Sequence, residues 1–129
     1  MSYVGIVLVS HSAELAEGLK KLLKQVQPHV PVAAAGGGNE GEIGTSMEKI
    51  AAAIESVRSE KGVAVFIDLG SALLNAEMAI EGLDEPEKVR IADAPLVEGA
   101  YVAAVESGCG SSLETVLQKA RKAKDMKKL

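Results

Sequence analysis

The chain has 129 residues, which is room for one compact domain spanning 1–129 and too little for a second of ordinary size. Apolar residues make up 47% of it, but the only aromatic side chains are Tyr3, Phe66 and Tyr101, so the core is expected to be built from Ala, Val, Leu and Ile. The net charge of −4 comes with no basic patch interleaved with aromatics in the first hundred residues, which argues against a nucleic-acid partner. The apolar runs fall far short of the ~20 residues a bilayer requires, which argues against a membrane span.

The run Val4 to Val9 is continuously apolar, as in a strand buried on both faces of a parallel sheet. Ser12 reads as the N-cap of a first helix, with Glu14 in its first turn and Leu15, Leu19, Leu22, Leu23 and Val26 at helical spacing before Pro28. Val30 to Ala35 is a second strand, followed by a glycine-rich loop from Gly36 to Gly44. Thr45 and Glu48 have the spacing of a capping box for a second helix that turns Met47, Ile50, Ile54 and Val57 inward. After a turn at Gly62, Val63 to Ile67 is a third strand ending at Asp68, and Ser71 is expected to cap a third helix running to Gly82. Val89 to Ala92 is a short fourth strand, and Pro95 opens a fourth helix that ends near Ser107. Ser111 and Glu114 suggest a capping box for the last helix. Six of the fourteen basic residues lie between Lys119 and Lys128, a solvated face or frayed tail that complements the helix dipole.

Strands that alternate with helices predict an α/β fold: a mainly parallel four-stranded sheet with helices on both faces. Ligands of such sheets bind beyond the carboxyl ends of the strands, where the strand order reverses. His11 lies at that edge. If the first and third strands are neighbours, about 4.8 Å apart, Asp68 can accept a hydrogen bond from one ring nitrogen of His11. That would fix the tautomer and leave the other nitrogen as a nucleophile. Three helices are expected to begin at the same edge, and unpaired helix N–H groups suit phosphate oxygens. Ser12, Thr45, Gly70 and Ser71 are therefore the candidate phosphate-binding residues, with Gly44 and Gly70 letting the backbone approach closely. No lysine or arginine falls in these loops, so phosphate would be held weakly, as suits a carrier. No metal or cofactor is expected. His29, between Pro28 and Pro31, is expected at the surface on the far side of the sheet, and Cys109 is expected to be buried or half-buried between two glycines.

Gly36, Gly38 and Gly41 match a dinucleotide fingerprint in spacing, but the motif follows the second strand and the helix opens only at Thr45. A phosphate-binding loop of the Walker type needs lysine before Thr45, where Gly44 stands. A response-regulator receiver needs acidic residues after the first strand, where Ser10-His11-Ser12 stands.

Val9-Ser10-His11-Ser12, Gly44-Thr45-Ser46, Asp68-Leu69-Gly70-Ser71 and Ala94-Pro95-Leu96-Val97-Glu98-Gly99-Ala100 together resemble the DhaM family over nearly the whole chain. These are phosphotransferase subunits of the dihydroxyacetone kinase driven by the phosphoenolpyruvate:sugar phosphotransferase system. The chain is similar, more distantly, to the enzyme IIA domain of mannose-class transporters. The resemblance implies an enzyme IIA mannose-type fold and a homodimer. It implies a His11 that takes phosphate from the phosphohistidine of HPr and passes it to ADP on a nucleotide-binding subunit. That subunit then phosphorylates dihydroxyacetone held by a third. Some family members carry HPr and enzyme I-like domains after this one; a chain ending at Leu129 would depend on free HPr. The extra antiparallel strand that mannose-class relatives have near the C-terminus has no counterpart in the sequence. Two other readings stay open: a mannose-class enzyme IIA feeding a sugar permease, and a non-catalytic regulatory module in which His11 and Asp68 are a structural pair. The absence of a basic leader and of a second cysteine predicts a cytoplasmic protein.

Overall fold

A computed structural model describes residues 2–129. It contains four strands, β1 (Gly5–Ser10), β2 (Val32–Gly36), β3 (Val63–Ile67) and β4 (Val89–Ile91). Five α-helices accompany them: α1 (Ala13–Val26), α2 (Met47–Val57), α3 (Leu73–Glu81), α4 (Leu96–Gly108) and α5 (Leu113–Arg121). All strand pairs are parallel, in the order β2-β1-β3-β4. The chain steps from β1 out to β2 and then back to the other side of β1 for β3. The strand order therefore reverses between β1 and β3, the two inner strands.

Side chains alternate across the sheet and give it two apolar faces. Ile6, Leu8, Ala64 and Phe66 face one layer, with Leu19 and Leu23 of α1, Ala100, Ala103 and Ala104 of α4, and Val116 and Ala120 of α5. Val7, Val9, Val63 and Val65 face the other, with Ile50, Ala53, Ile54 and Val57 of α2 and Ala72, Ala76 and Ala79 at α3. Both faces of β1 are covered, which is why Gly5 to Ser10 are all buried. Phe66 is the one aromatic side chain that is fully buried, and alanines carry much of the helix contact, as the composition implied.

Several local expectations shift. On α1 the inward stripe is Ala16, Leu19 and Leu23, while Leu15 and Leu22 are exposed. The cap of α2 is Ser46, not Thr45: the Ser46 hydroxyl accepts the Lys49 N–H at 3.1 Å. The cap of α5 is Ser112, not Ser111, and it accepts the Thr115 N–H at 3.2 Å; Ser111 instead donates to Glu106. A 3-10 turn at Gly70–Ala72 leads into α3 without a side-chain cap, so Ser71 caps nothing. Cys109 is exposed at the end of α4. The basic stretch after α5 is tethered rather than free, through Lys124 to Asp93 and Lys128 to Glu98, both at 2.6 Å.

Candidate functional site

Asp68 follows β3 directly and stands beside the turn that leaves β1. Its carboxylate takes four donors. Oδ2 accepts the His11 backbone N–H at 2.9 Å and the Ser10 hydroxyl at 3.0 Å. Oδ1 accepts the Leu69 N–H at 2.7 Å and lies 3.0 Å from Nδ1 of His11. A carboxylate offers about four lone-pair positions, so Asp68 is saturated. Burial pushes its pKa up, but the bonds from the His11 backbone, the His11 ring, Ser10 and Leu69 outweigh that and hold the group below the ordinary aspartate range. Asp68 is thus an ionised acceptor, and Nδ1 of His11 must carry the proton between them.

The other ring nitrogen, Nε2, then presents its lone pair away from Asp68. The hydroxyl of Ser71 lies 3.0 Å from it and donates to it in the neutral Nδ1–H form of the ring. The His11 side chain is 22% exposed and Ser71 is exposed, so the ring reaches the surface beside Ser71.

The main chain around the ring is fixed as well. The His11 carbonyl accepts the Gly44 N–H at 2.9 Å, and the Ser10 carbonyl accepts the Gly37 N–H at 3.0 Å. The glycine-rich loop is therefore bonded to the turn that carries His11. Gly44 has φ +149°, which side-chain-bearing residues rarely adopt. At Gly36 a Cβ would lie 2.7 Å from the Ser12 carbonyl oxygen and from the Ala13 Cα, so glycine lets the end of β2 pack against the first turn of α1.

The expected site residues divide in two. His11, Asp68 and Ser71 meet directly. Ser12 flanks the ring and caps α1 through a 3.3 Å bond from the Leu15 N–H. Gly70 begins the exposed 3-10 turn, and a Cβ there would meet nothing within 4 Å, so no protein packing requires a glycine. Thr45 stands apart: its hydroxyl accepts from the Asn75 side chain at 2.7 Å and ties the loop to α3. His29 is exposed, as expected. No group of three or more His, Cys, Asp or Glu among the described residues is placed to hold a metal. No helix among them is long and apolar enough to cross a membrane.

A parallel α/β domain with an oriented histidine where its strand order reverses defines a class, and comparison with known proteins gives the class a family. Residues 5–117 match EIIA-man, described as the PTS system fructose IIA component. A phosphoryl donor subunit DhaM of PEP-dependent dihydroxyacetone kinase 2 from Listeria innocua is 43% identical over 118 residues, covering 89% of this chain and 94% of the relative. The phosphotransferase subunit DhaM of the PTS-dependent dihydroxyacetone kinase of Lactococcus lactis is 40% identical over 122 residues, covering 95% and 96%. A crystal structure of a protein of unknown function superposes with a TM-score of 0.83 at 33% identity, covering 95% of both chains. The chain belongs to the EIIA-man family and, within it, to the DhaM phosphoryl donor subunits.

Proposed function

We propose that this chain is a phosphocarrier that takes a phosphoryl group onto Nε2 of His11 from the phosphohistidine of HPr. It then passes the group to ADP on the nucleotide-binding subunit of dihydroxyacetone kinase, whose partner subunit holds dihydroxyacetone. The observation that carries this reading is the 3.0 Å pairing of Nδ1 with a saturated carboxylate, which leaves Nε2, on the far side of the ring beside Ser71, as the nitrogen that can offer a lone pair in the neutral ring. The names borne by the relatives, phosphoryl donor and phosphotransferase subunits of PEP- and PTS-dependent dihydroxyacetone kinases, support the reading of a phosphoryl carrier in such a system.

In the transfer, the Nε2 lone pair forms a bond to phosphorus as the phosphorus–nitrogen bond of the donor breaks. The proton on Nδ1 stays in its bond to Asp68, whose charge offsets the positive ring that forms. Ser71 turns its hydroxyl from the nitrogen to a phosphoryl oxygen, and the backbone N–H groups of Gly70 and Ser71 and the hydroxyl of Ser12 take the remaining charge. Thr45 acts at one remove, by holding the loop to α3. Ile43, Leu69, Leu73 and Leu74 are exposed in the segments flanking the site and offer a protein partner an apolar surface. Residues 1–129 act as one such domain, as a homodimer in the cytoplasm.

Incubation with enzyme I, HPr and phosphoenolpyruvate, followed by mass spectrometry, tests the reading. One phosphoryl group is expected on His11, lost in acid and kept in alkali as a phosphorus–nitrogen bond requires. His11→Ala is expected to take no label and His29→Ala to label like the parent. Undiminished labelling of His11→Ala would overturn the mechanism, and an alkali-labile label would point to an acyl phosphate on Asp68.

A further inference from the structure

We propose that Ser10 is a positioning residue for this chemistry: its buried hydroxyl holds Asp68 and the His11 turn together and thereby keeps His11 in its Nδ1–H tautomer. The proposal rests on the reading of His11 as the phosphoryl acceptor.

Ser10 is the last residue of β1 and follows five buried residues, Gly5 to Val9, none of which has a polar side chain. It is itself fully buried. A hydroxyl in such a place is costly unless its hydrogen-bonding capacity is used. Strand alternation explains where it points. Ser10 shares a sheet face with Ile6 and Leu8 on β1, and Asp68 continues the same face from Ala64 and Phe66 on β3. The two side chains therefore meet across the inner strand pair.

The direction of each bond is settled by chemistry. The Ser12 N–H can only donate, so the Ser10 oxygen accepts it, at 3.1 Å. The Asp68 carboxylate can only accept, so the single Ser10 proton goes to Oδ2, at 3.0 Å. Neither bond can reverse, and the hydroxyl has one orientation.

Two consequences follow for His11. Oδ2 is held by two donors, Ser10 and the His11 backbone, and this pins the carboxylate plane so that Oδ1 faces Nδ1. Without the hydroxyl, Oδ2 keeps only the His11 N–H, and the carboxylate plane is held against rotation by that bond and the Leu69 N–H on Oδ1 alone. The same hydroxyl also holds the N–H of the residue after His11, so losing it loosens the turn as well as the carboxylate. A residue that merely filled space in β1 would do neither.

The test is Ser10→Ala, measured two ways. Long-range proton–nitrogen spectra of the 15N-labelled, unphosphorylated protein report the His11 tautomer. Transfer from phospho-HPr at varied concentration separates kcat from KM. The variant is expected to fold and to lose the pure Nδ1–H signature in favour of averaged ring-nitrogen shifts. Its kcat is expected to fall about ten- to a hundred-fold, as for a small misplacement of a reacting group, with KM for phospho-HPr unchanged. A parental tautomer signature in Ser10→Ala, or an unchanged kcat, overturns the proposal. Should Ser10→Ala not fold, Ser10→Cys, whose thiol is a much weaker donor, is read by the same criteria. The tautomer is measured without phosphate, so it decides the part of Ser10 even if the parent takes no label on His11.

Discussion

Ser10 and Ser107 are both fully buried serines at opposite ends of β1, and they hold different things. At the amino end, Ser107 of α4 donates to the Val4 carbonyl at 2.7 Å, joining helix to sheet through a neutral acceptor. At the carboxyl end, Ser10 donates to a carboxylate that is itself bonded to a partly exposed ring. The first bond ends in the scaffold. The second belongs to a chain of hydrogen bonds that runs through the His11 ring to the exposed Ser71, the nitrogen proposed as the phosphoryl acceptor lying between them. Equal burial of the same side chain thus ties helix to sheet at one end, and at the other, on the reading proposed above, supports the chemistry of His11.

That contrast can be broken by substitution. The largest effect is expected from Asp68→Asn, which keeps the side-chain shape but removes the charge and the saturated acceptor. Transfer from phospho-HPr is expected to slow by about 10²–10⁴-fold, the usual worth of an acid–base or orienting group. A rate within a factor of two of the parent would mean that carboxylate and ring act independently. At the other end, Ser107→Ala leaves a buried carbonyl without its donor. It is expected to cost about 1–3 kcal/mol in urea unfolding and to leave the transfer rate unchanged; a slowed transfer would erase the distinction between the two ends.

A smaller effect appears on acidification. The folded-state pKa of Asp68 is depressed, so its contribution to stability is complete above the ordinary aspartate range and is lost as pH falls through and below it. Urea midpoints of Asp68→Asn are therefore expected to fall less steeply than those of the parent between neutral pH and pH values below that range; parallel curves would show that Asp68 gains nothing from its four donors. Finally, calorimetry with ATP and magnesium is expected to show no binding at micromolar concentration. The loops 10–12, 36–45 and 68–71 contain no lysine or arginine to meet a triphosphate. Saturable heat in that range would require a nucleotide site elsewhere in the chain.

Much of this was legible in the residues. The β3 run is bracketed by Gly62 and Asp68, and its observed limits are those its pattern predicts. The pairing of His11 with Asp68 needed the rule that ligands sit where parallel strand order reverses and the condition that the first and third strands be neighbours, which the order β2-β1-β3-β4 meets. The caps slipped by one residue because Thr45-Ser46 and Ser111-Ser112 are adjacent hydroxyls. The capping-box spacing to Glu48 and Glu114 favours the first of each pair. Thr45 is drawn off by Asn75, thirty residues away, and no local pattern carries that information. On α1 the larger residues Leu15 and Leu22 drew the reading, while the sheet took the small Ala16 instead. The Ser10 bonds were hidden for a related reason: they depend on β3 returning beside β1 in one particular register, which places Asp68 against Ser10 rather than one residue away.

One feature of the turn bears on how fast such a carrier can work. The N–H of His11 is bonded to Asp68 and its carbonyl accepts from Gly44, so both peptide groups of the proposed acceptor residue are immobilised before any partner arrives. The ordering entropy of the acceptor is then spent once, in folding, and not again in each encounter. Turnover is expected to follow collision with the donor and the recipient, rising with their concentrations. The fixed nitrogen can face only one of them at a time, so an excess of either partner in its unreactive form competes with the other and slows the relay.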